Sequence, residues 1–188
     1  MSNQLIQMFN SIASLSEAEE TSVLNIIQEK HLAKGDFWTK EGILCDDIAF
    51  IRQGYLRKFY LKEGNEITDS FYFDNEFCAD LPSIIGKQKT HSFFVAMQPT
   101  DLTIIPYSRF QVLCEKHHAL ERIYKVLLEQ AFLKFYSRTR SFIDQTPKER
   151  YDDLLKYSPR ILLNATQYHI ASYIGISYQH LSRLRAEK

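Results

Sequence analysis

The sequence predicts an α+β fold in which helical segments flank a β-rich domain. Residues 34–106 contain five glycines that separate short runs of β-branched and aromatic residues. The segments on either side have the apolar spacing of helices, and capping-box motifs mark two helix starts. The 188 residues, 45% of them hydrophobic, suffice for one large domain or for a medium domain and a small one.

The first 33 residues are predicted to be helical. Ser16 and Glu19 have the spacing of a capping box. The apolar residues that follow it are Val23, Leu24, Ile26 and Ile27.

The β-rich domain is predicted to be a sandwich or a barrel, because its short strands recur about every 8–12 residues. The expected strands cover residues 47–51, 55–61, 66–73, 92–97 and 102–105. Gln53–Gly54 and Glu63–Asn65 are typical of hairpin turns.

A short helix from Ser108 and a long helix from about Leu120 to Phe142 are expected next. The apolar stripe of the long helix is wide: Leu120, Tyr124, Leu127, Leu128, Ala131, Phe132 and Phe135. One edge of this stripe can cover the sheet while the other meets a second copy of the chain. We expect a dimer helix because the C-terminal section is typical of a DNA-binding half-site module. A helix that packs only within its own chain is the alternative.

The C-terminal section begins with a strong helix start at Thr146–Glu149, a capping box with Pro147 at the first helical position. Ser158–Pro159 ends this helix. Its expected buried face is Tyr151, Leu154 and Leu155.

Residues 166–185 have the pattern of a helix-turn-helix. Thr166 can cap the first helix, Ala171 allows close approach, Gly175 suits a sharp turn with positive φ, and Ser177 can cap the second helix. The expected inward positions are Ile170, Ile174, Ile176, Leu181 and Leu184. A helical hairpin that only packs is the alternative.

The second of these helices is expected to contact DNA. Gln179 can pair with adenine, and Arg183 can pair with guanine or a phosphate. Arg185 and Lys188 are better suited to phosphates. The candidate DNA-binding residues are Thr166, Ser177, Tyr178, Gln179, His180, Ser182, Arg183 and Arg185.

The charge distribution excludes a nonspecific, charge-driven DNA binder. The 23 Lys and Arg balance the 23 Asp and Glu, so the formal net charge is zero. Residues 143–188 carry seven basic and five acidic side chains, a net charge of only +2. A monomer is therefore expected to bind DNA weakly, and a dimer to supply the missing contacts.

Catalytic, metal and membrane motifs are not found in the sequence. Cys45, Cys78 and Cys114 are far apart and are expected to be reduced thiols in a cytoplasmic protein. We see no nucleophile elbow, Walker loop or zinc-protease motif, and we expect no enzyme activity, no metal and no cofactor. The N-terminus does not look like a secretory signal, and no apolar run approaches the roughly 20 residues of a membrane span.

The order of these sections resembles the Crp/Fnr superfamily of bacterial transcription regulators. The resemblance covers nearly the whole chain. In the β-rich domain it rests on the glycine-marked segments Lys34–Gly42, Ile48–Gly54 and Glu63–Ile67. In the C-terminal section it rests on Ile170–Ala171, Gly175–Ser177 and Leu181–Arg183. The compact length and the Leu181–Arg185 ending are similar to regulators of Bacteroidetes-type bacteria.

The resemblance implies an N-terminal double-stranded β-helix, or jelly roll, with flanking helices. A long dimerisation helix and a C-terminal winged-helix or helix-turn-helix domain, whose wing can be reduced, would follow. The implied domains are residues 1–115, 116–143 and 144–188. The implied partners are double-stranded DNA, a second copy of the chain and, for an activator, RNA polymerase. The expected dimer interface is Leu120, Tyr124, Leu127, Leu128, Ala131 and Phe135.

The family's cyclic-nucleotide cassette is degenerate in this chain. Ala79 stands where the family has a glycine, and Asp80 where it has a glutamate. Thr90 or His91 stands where it has an arginine, so tight cyclic AMP binding is not expected.

The residues around the cassette could still hold an unidentified small-molecule effector, or they could form a filled pocket with no ligand. The candidate pocket is Phe77, Cys78, Ala79, Asp80, Thr90, His91 and Ser92. The alternative function is a small-molecule or cyclic-nucleotide sensor with a vestigial DNA-binding module.

Overall fold

The computed structural model describes residues 3–186, and within them it has nine helices and eight strands. The strands are β1 Gln28–Leu32, β2 Phe37–Thr39, β3 Asp47–Gln53, β4 Tyr55–Lys62, β5 Asn65–Phe73, β6 Phe77–Cys78, β7 Ser92–Ala96 and β8 Thr100–Pro106. The helices are α1 Asn3–Ile12, α2 Glu17–Leu24, α3 Leu81–Gly86, α4 Tyr107–Lys116, α5 His118–Asp144, α6 Pro147–Tyr157, α7 Pro159–Asn164, α8 Gln167–Ile174 and α9 Tyr178–Ala186. The α+β class predicted from the sequence is confirmed. In this part of the chain, no helix is both long and apolar enough to cross a membrane.

The strands form two antiparallel sheets of four strands each. One sheet has the order β1-β8-β3-β6 and the other β2-β7-β4-β5. In the first sheet β8 lies between β1 and β3. Leu102 of β8 pairs with Lys30 of β1, and Ile105 of β8 pairs with Ile48 of β3. The side chains of Ile51, Leu56, Phe94 and Leu102 are fully buried in one apolar cluster. Each such burial stabilises the fold by about 1.5–3 kcal/mol.

The predicted hairpin at Gln53–Gly54 is wrong. The flanking strands β3 and β4 belong to different sheets, so the chain changes sheet at Gly54. Gly54 has φ 100°, and a Cβ there would lie 2.5 Å from Oγ1 of Thr100 and 2.7 Å from the carbonyl of Pro99. Only glycine allows this close approach. The hairpin predicted around Gly64 is confirmed, since β4 and β5 are neighbours in one sheet.

The N-terminal helical prediction is right for Asn3–Ile12 and Glu17–Leu24 and wrong for the residues beyond Leu24. The Ser16–Glu19 capping box starts α2 as expected. Residues 28–32, however, form β1, because this segment pairs along the edge of β8. The short strands β2 and β6 also lie outside the predicted set.

A second apolar cluster lies between the helices and the first sheet. The Phe9 ring packs at 5.9 Å from Phe77 and at 5.9 Å from Phe110, measured between ring centroids. Leu120 and Ile123 at the start of α5 are fully buried in this cluster.

The chain folds into two compact units, and neither is a single continuous stretch of sequence. One unit runs to Lys58 and resumes over Phe71–Gln130. The other combines Phe59–Ser70 with the chain from Ala131 onward. The tip of the β4–β5 hairpin therefore packs with the C-terminal helices.

Candidate nucleic-acid interface

Helix α8 is capped at its N-terminus by Thr166 and is ended at its C-terminus by Gly175. Thr166 is extended, with φ −67° and ψ 153°, and its Oγ1 accepts a hydrogen bond from the His169 N–H at 3.2 Å. At the other end Gly175 has φ 76°. The Ile176 N–H then donates to the Ala171 carbonyl at 3.0 Å, which satisfies a helix-terminal acceptor. The cap at Thr166 and the positive φ at Gly175 are as predicted.

Gly175 is also required by its surroundings. A Cβ at this position would lie 2.6 Å from Cε1 of Phe142, which is on the last turns of α5. The backbone angle therefore favours glycine at the turn between α8 and α9, and a side chain there would also require the Phe142 ring, which is 44% exposed, to move.

Helix α9 begins after Ser177, whose Oγ accepts a hydrogen bond from the His180 N–H at 3.2 Å. The predicted inward residues of α8 and α9 are buried or, for Ile176, half-buried: Ile170, Ile174, Ile176, Leu181 and Leu184. Ala171 is 2% exposed, as expected for close packing at this position. The buried residues fix one face of α9, and the opposite face is left exposed.

The exposed face of α9 carries the residues predicted to contact DNA. Tyr178, Gln179, Ser182, Arg183 and Arg185 are exposed, and His180 is half-buried at the edge. Gln179 and Arg183 are four residues apart, so they lie one above the other on one face. A helix with its side chains is about 10–12 Å in diameter, which fits a major groove about 12 Å wide.

Thr166 and Ser177 directly precede α8 and α9, and Arg185 lies in the last turn of α9. Thr166 and Ser177 are exposed, and each hydroxyl accepts its cap bond while keeping a hydrogen to donate. The side chain of Arg185 lines a cavity of about 130 Å³ bounded also by Tyr151 and Leu181. Lys188, expected to contact a phosphate, lies outside the described residues.

Helix α6 begins at the predicted capping box. Oε2 of Glu149 accepts from the Thr146 N–H at 2.7 Å, and the Glu149 N–H donates to Oγ1 of Thr146 at 3.3 Å. The backbone hydrogen bond lowers the pKa of Glu149 from its ordinary value of 4.5. Tyr151 and Leu154 are buried as expected, but Leu155 is 37% exposed and is not part of the buried face. Leu155 follows Leu154 directly, so the helical twist turns it outward.

Arg150 joins three segments of this unit, a role that the sequence analysis missed. Its Nε donates to the Ile174 carbonyl at 2.9 Å, and Nη1 donates to the Gln145 carbonyl at 2.6 Å. Its guanidinium lies 4.7 Å from the Phe142 ring centroid. Burial, and to a smaller extent the nearby Arg138, lowers its pKa. The cation sits at the C-terminus of α8, where the helix dipole favours positive charge.

The tip of the β4–β5 hairpin is hydrogen-bonded to α8, and this contact was also missed. Oγ of Ser172 accepts from the Thr68 N–H at 2.9 Å and donates to the Glu66 carbonyl at 3.2 Å. Nη2 of Arg138 donates to the Tyr173 carbonyl at 2.9 Å, and the Arg138 guanidinium lies 3.9 Å from the Tyr173 ring centroid. Nothing local in the sequence marks Ser172, because its partners are 104 and 106 residues away.

The candidate effector residues lie in the first unit, and they differ in burial and in their contacts. The Thr90 side chain is buried, and its Oγ1 accepts from the Ser92 N–H at 2.9 Å. Asp80 is 4% exposed. His91 instead points outward, with 84% of its side chain exposed and Glu41 at 3.7 Å. Phe77 and Cys78 form β6, and Ala79 is half-buried beside it.

Lys58 is a partner of Asp80 that the sequence did not reveal. Its Nζ lies 3.1 Å from Oδ1 of Asp80 and 5.4 Å from the centroid of the Phe94 ring. The buried carboxylate is thus neutralised by the chain's own cation. Among residues 3–186, no three His, Cys, Asp or Glu side chains meet as metal ligands.

The residues expected at the dimer interface differ in burial along α5. Leu120 is fully buried in its own unit, so it is not available to a second copy, and its assignment to the interface is wrong. Tyr124 and Leu127 pack against the same core, and Leu128 and Ala131 are half-buried. Phe135 is 68% exposed. Its exposed apolar neighbours are Phe132, Leu133 and Tyr136.

Comparisons with known proteins identify the fold. No protein-family model matches the chain, and no curated protein matches it. Among solved structures, a Crp/Fnr-family transcriptional regulator from Eubacterium rectale is 20% identical, covers 96% of this chain and 85% of its own, and has a TM-score of 0.71. A CooA mutant from Carboxydothermus hydrogenoformans is 15% identical, with coverages of 88% and 77% and a TM-score of 0.72. The c-di-GMP-responsive global regulator CLP of Xanthomonas campestris is 13% identical, with coverages of 92% and 91% and a TM-score of 0.69. The chain therefore has the fold of Crp/Fnr-type transcriptional regulators.

Proposed function

We propose that this chain is a homodimeric, sequence-specific DNA-binding transcription regulator. In this proposal α8 and α9 form a helix-turn-helix, and α9 is the recognition helix. The observation that carries the proposal is the exposed row of Gln179, Ser182 and Arg183 on a helix whose opposite face is buried. A helix held in this way presents its side chains to a groove at low entropic cost. The regulator fold of the structural neighbours supports the same function.

We infer separate roles for the exposed polar residues. Gln179 and Arg183 read base edges, as adenine and guanine contacts respectively. Thr166, Ser177, Tyr178, His180, Ser182 and Arg185 fix the position of the helix on the phosphates and groove walls. The protein is proposed to act in the cytoplasm, without enzymatic activity, and to contact RNA polymerase if it activates transcription.

We propose that the exposed apolar part of α5 is the dimer seam. Phe132, Phe135 and Tyr136 have the i, i+3, i+4 spacing of one helix face and are 63%, 68% and 51% exposed. Exposed aromatic residues in such a row are typical of protein interfaces. The seam consists of Leu128, Ala131, Phe132, Phe135 and Tyr136, with Tyr124 and Leu127 at its edge. Replacing both Phe132 and Phe135 by Asp is expected to give a monomer in sedimentation experiments, and a dimer of unchanged affinity would contradict the seam.

We propose that the β-rich domain is a jelly roll whose cyclic-nucleotide cassette does not bind cyclic AMP tightly. The contact between Lys58 and Asp80 supports this, because the carboxylate already has a cationic partner and no arginine stands at Thr90 or His91. Calorimetry is expected to detect no cyclic AMP binding at tens of micromolar. Submicromolar binding would favour a nucleotide sensor instead.

We also propose that the chain has three domains, residues 1–115, 116–143 and 144–188. The proposal further includes the likeness to Bacteroidetes-type regulators.

Genomic footprinting of the tagged protein tests the proposed function, because it would give the operator and the regulated genes together. The Arg183→Ala variant is expected to lose about 1–3 kcal/mol of specific binding at the operator found. Arg122→Ala is the matched control, because it removes an exposed arginine of α5 that is not among the proposed DNA-binding residues. Equal binding by the Arg183→Ala variant and the wild type would overturn the assignment of α9.

A further inference from the structure

A surface of the first unit combines exposed apolar and basic side chains. It consists of Lys40, Ile43, Leu44, Ile85, Lys87 and Lys89, and we call it the basic apolar patch. Ile43, Leu44 and Ile85 are 50%, 59% and 57% exposed. The three lysines are exposed as well. None of these residues belongs to the proposed DNA-reading face or to the dimer seam.

The backbone holds the two segments of the patch together. The Thr90 N–H donates to the Ile43 carbonyl at 2.8 Å, and the Gly42 N–H donates to the Thr90 carbonyl at 2.8 Å. Leu44 and Lys89 form an isolated antiparallel bridge. These bonds make the patch a defined surface in which the loop before β3 and the loop after α3 lie side by side.

Ser83 and Lys87 also help to hold the backbone around the patch in place. Oγ of Ser83 is buried, accepts from the Cys45 N–H at 2.9 Å and donates to the Gln88 carbonyl at 2.6 Å. Lys87 is the C-cap of α3, with φ 49° and ψ 43°, the left-handed conformation in which many helices end. The hydrogen bonds of Ser83 and this helix end fix the course of the loop after α3.

We propose that the basic apolar patch binds an acidic protein segment that also carries apolar side chains. Exposed apolar groups surrounded by polar residues mark protein-binding surfaces. The charge of the patch favours carboxylates, because its own side chains include three lysines and no acid, against two exposed acids beside it in the loop before β3, Glu41 and Asp46. The apolar residues then form the dry centre of the contact, and the lysines form its charged rim.

The composition of the patch favours this partner over a lipid surface or a nucleic acid. Lipid headgroups are recognised by clusters of about 4–8 basic residues, more than the patch offers. Nucleic-acid strands are bound by basic side chains together with stacking aromatic rings, whereas the centre of the patch is aliphatic.

A titration followed by NMR tests the proposal on the full chain. The probe is an amphipathic helical peptide of about 15 residues with Leu on one face and Glu on both flanks. The expected result is saturable shifts of the backbone amides of residues 40–45 and 85–91. Shifts confined to other regions, or none up to about 1 mM peptide, would overturn the proposal. Binding to vesicles of phosphatidylcholine and phosphatidylserine without binding to the peptide would also overturn it.

Two matched double variants separate the effect of the patch's own charge on peptide binding from the effect of the net charge of the chain. Lys87→Glu with Lys89→Glu is expected to weaken peptide binding at least about tenfold, because attraction becomes repulsion at the rim. Lys34→Glu with Lys116→Glu makes the same change in net charge at exposed positions outside the patch and is expected to leave binding within about twofold. Equal weakening by both variants would contradict the patch. So would equal binding of a peptide in which Gln replaces each Glu.

Discussion

Replacing Gly175 by alanine tests the turn between α8 and α9. The expected loss in the free energy of unfolding has two parts. Gly175 has φ 76°, where a residue with a side chain costs roughly 1–2 kcal/mol. The new Cβ would also lie 2.6 Å from Cε1 of Phe142, an overlap that requires repacking at about 1–3 kcal/mol. We therefore expect Gly175→Ala to lower the free energy of unfolding by about 2–5 kcal/mol.

Gly64→Ala is the matched control for the backbone part alone. Gly64 has φ 79°, and a Cβ there would meet no atom within 4 Å. For this variant, urea unfolding followed by circular dichroism is expected to show a free energy of unfolding only about 1–2 kcal/mol lower than that of the wild type. The difference between the two variants then measures the contact with the Phe142 ring.

A double-mutant cycle isolates that contact further. In a Phe142→Leu background the ring carbon that overlaps the new Cβ is removed, so Gly175→Ala is expected to cost no more than Gly64→Ala. The physical account of this turn is refuted if Gly175→Ala lowers the free energy of unfolding equally in the wild type and in the Phe142→Leu variant. It is also refuted if the loss in the wild type is less than about 1 kcal/mol.

Three further substitutions test other contacts of the C-terminal helices. Ser172→Ala removes two hydrogen bonds to the β4–β5 hairpin and is expected to cost about 1–3 kcal/mol in urea unfolding; an unchanged midpoint would show that the hairpin contact adds nothing. Thr146→Ala removes the cap of α6 and is expected to cost about 1 kcal/mol, whereas an equally stable variant would contradict the cap. Glu149→Gln tests pH dependence. The pKa of Glu149 is lowered in the folded state, so its contribution is complete above the ordinary value of 4.5 and is lost as the pH falls through the lowered value. The difference in stability from wild type should therefore be largest near neutral pH and shrink in acid, and a constant difference would contradict the bond to Thr146.

Local chemistry explains what could be predicted from the sequence. The caps at Ser16, Thr146 and Thr166 and the turn at Gly175 depend on residues within a few positions of one another. Their hydrogen bonds and dihedral angles follow from side-chain type, and the structure has them where the sequence predicts. The exposed face of α9 could be predicted for the same reason, because helical periodicity separates it from Leu181 and Leu184.

Features that depend on distant pairing could not be predicted. Gln28–Leu32 is a strand because it pairs with the edge of β8, and Thr100 leaves no room for a side chain at Gly54, where the chain passes from one sheet to the other. The contact of Lys58 with Asp80 joins residues that no local pattern relates. The apolar stripe of α5 shows another limit: periodicity places Leu120 and Phe135 on one stripe, but only the tertiary structure buries the first and exposes the second.

The balanced charge of the chain has a physical consequence for DNA binding. Residues 143–188 carry a net charge of only +2, so counterion release contributes little to the affinity of one protomer. Specific base contacts and the pairing of two recognition helices must then supply most of the binding free energy. Binding is expected to be weak for any variant that cannot dimerise.

Selection of DNA from a random library by the purified protein, at near-physiological salt, tests the central claim most directly. The account predicts enrichment of an inverted repeat whose half-sites are centred one helical turn apart, about 34 Å. It also predicts that Arg183→Ala loses discrimination at one base position in each half-site. A library in which the protein enriches no sequence, or enriches the same sequence after Arg183→Ala, would contradict the account.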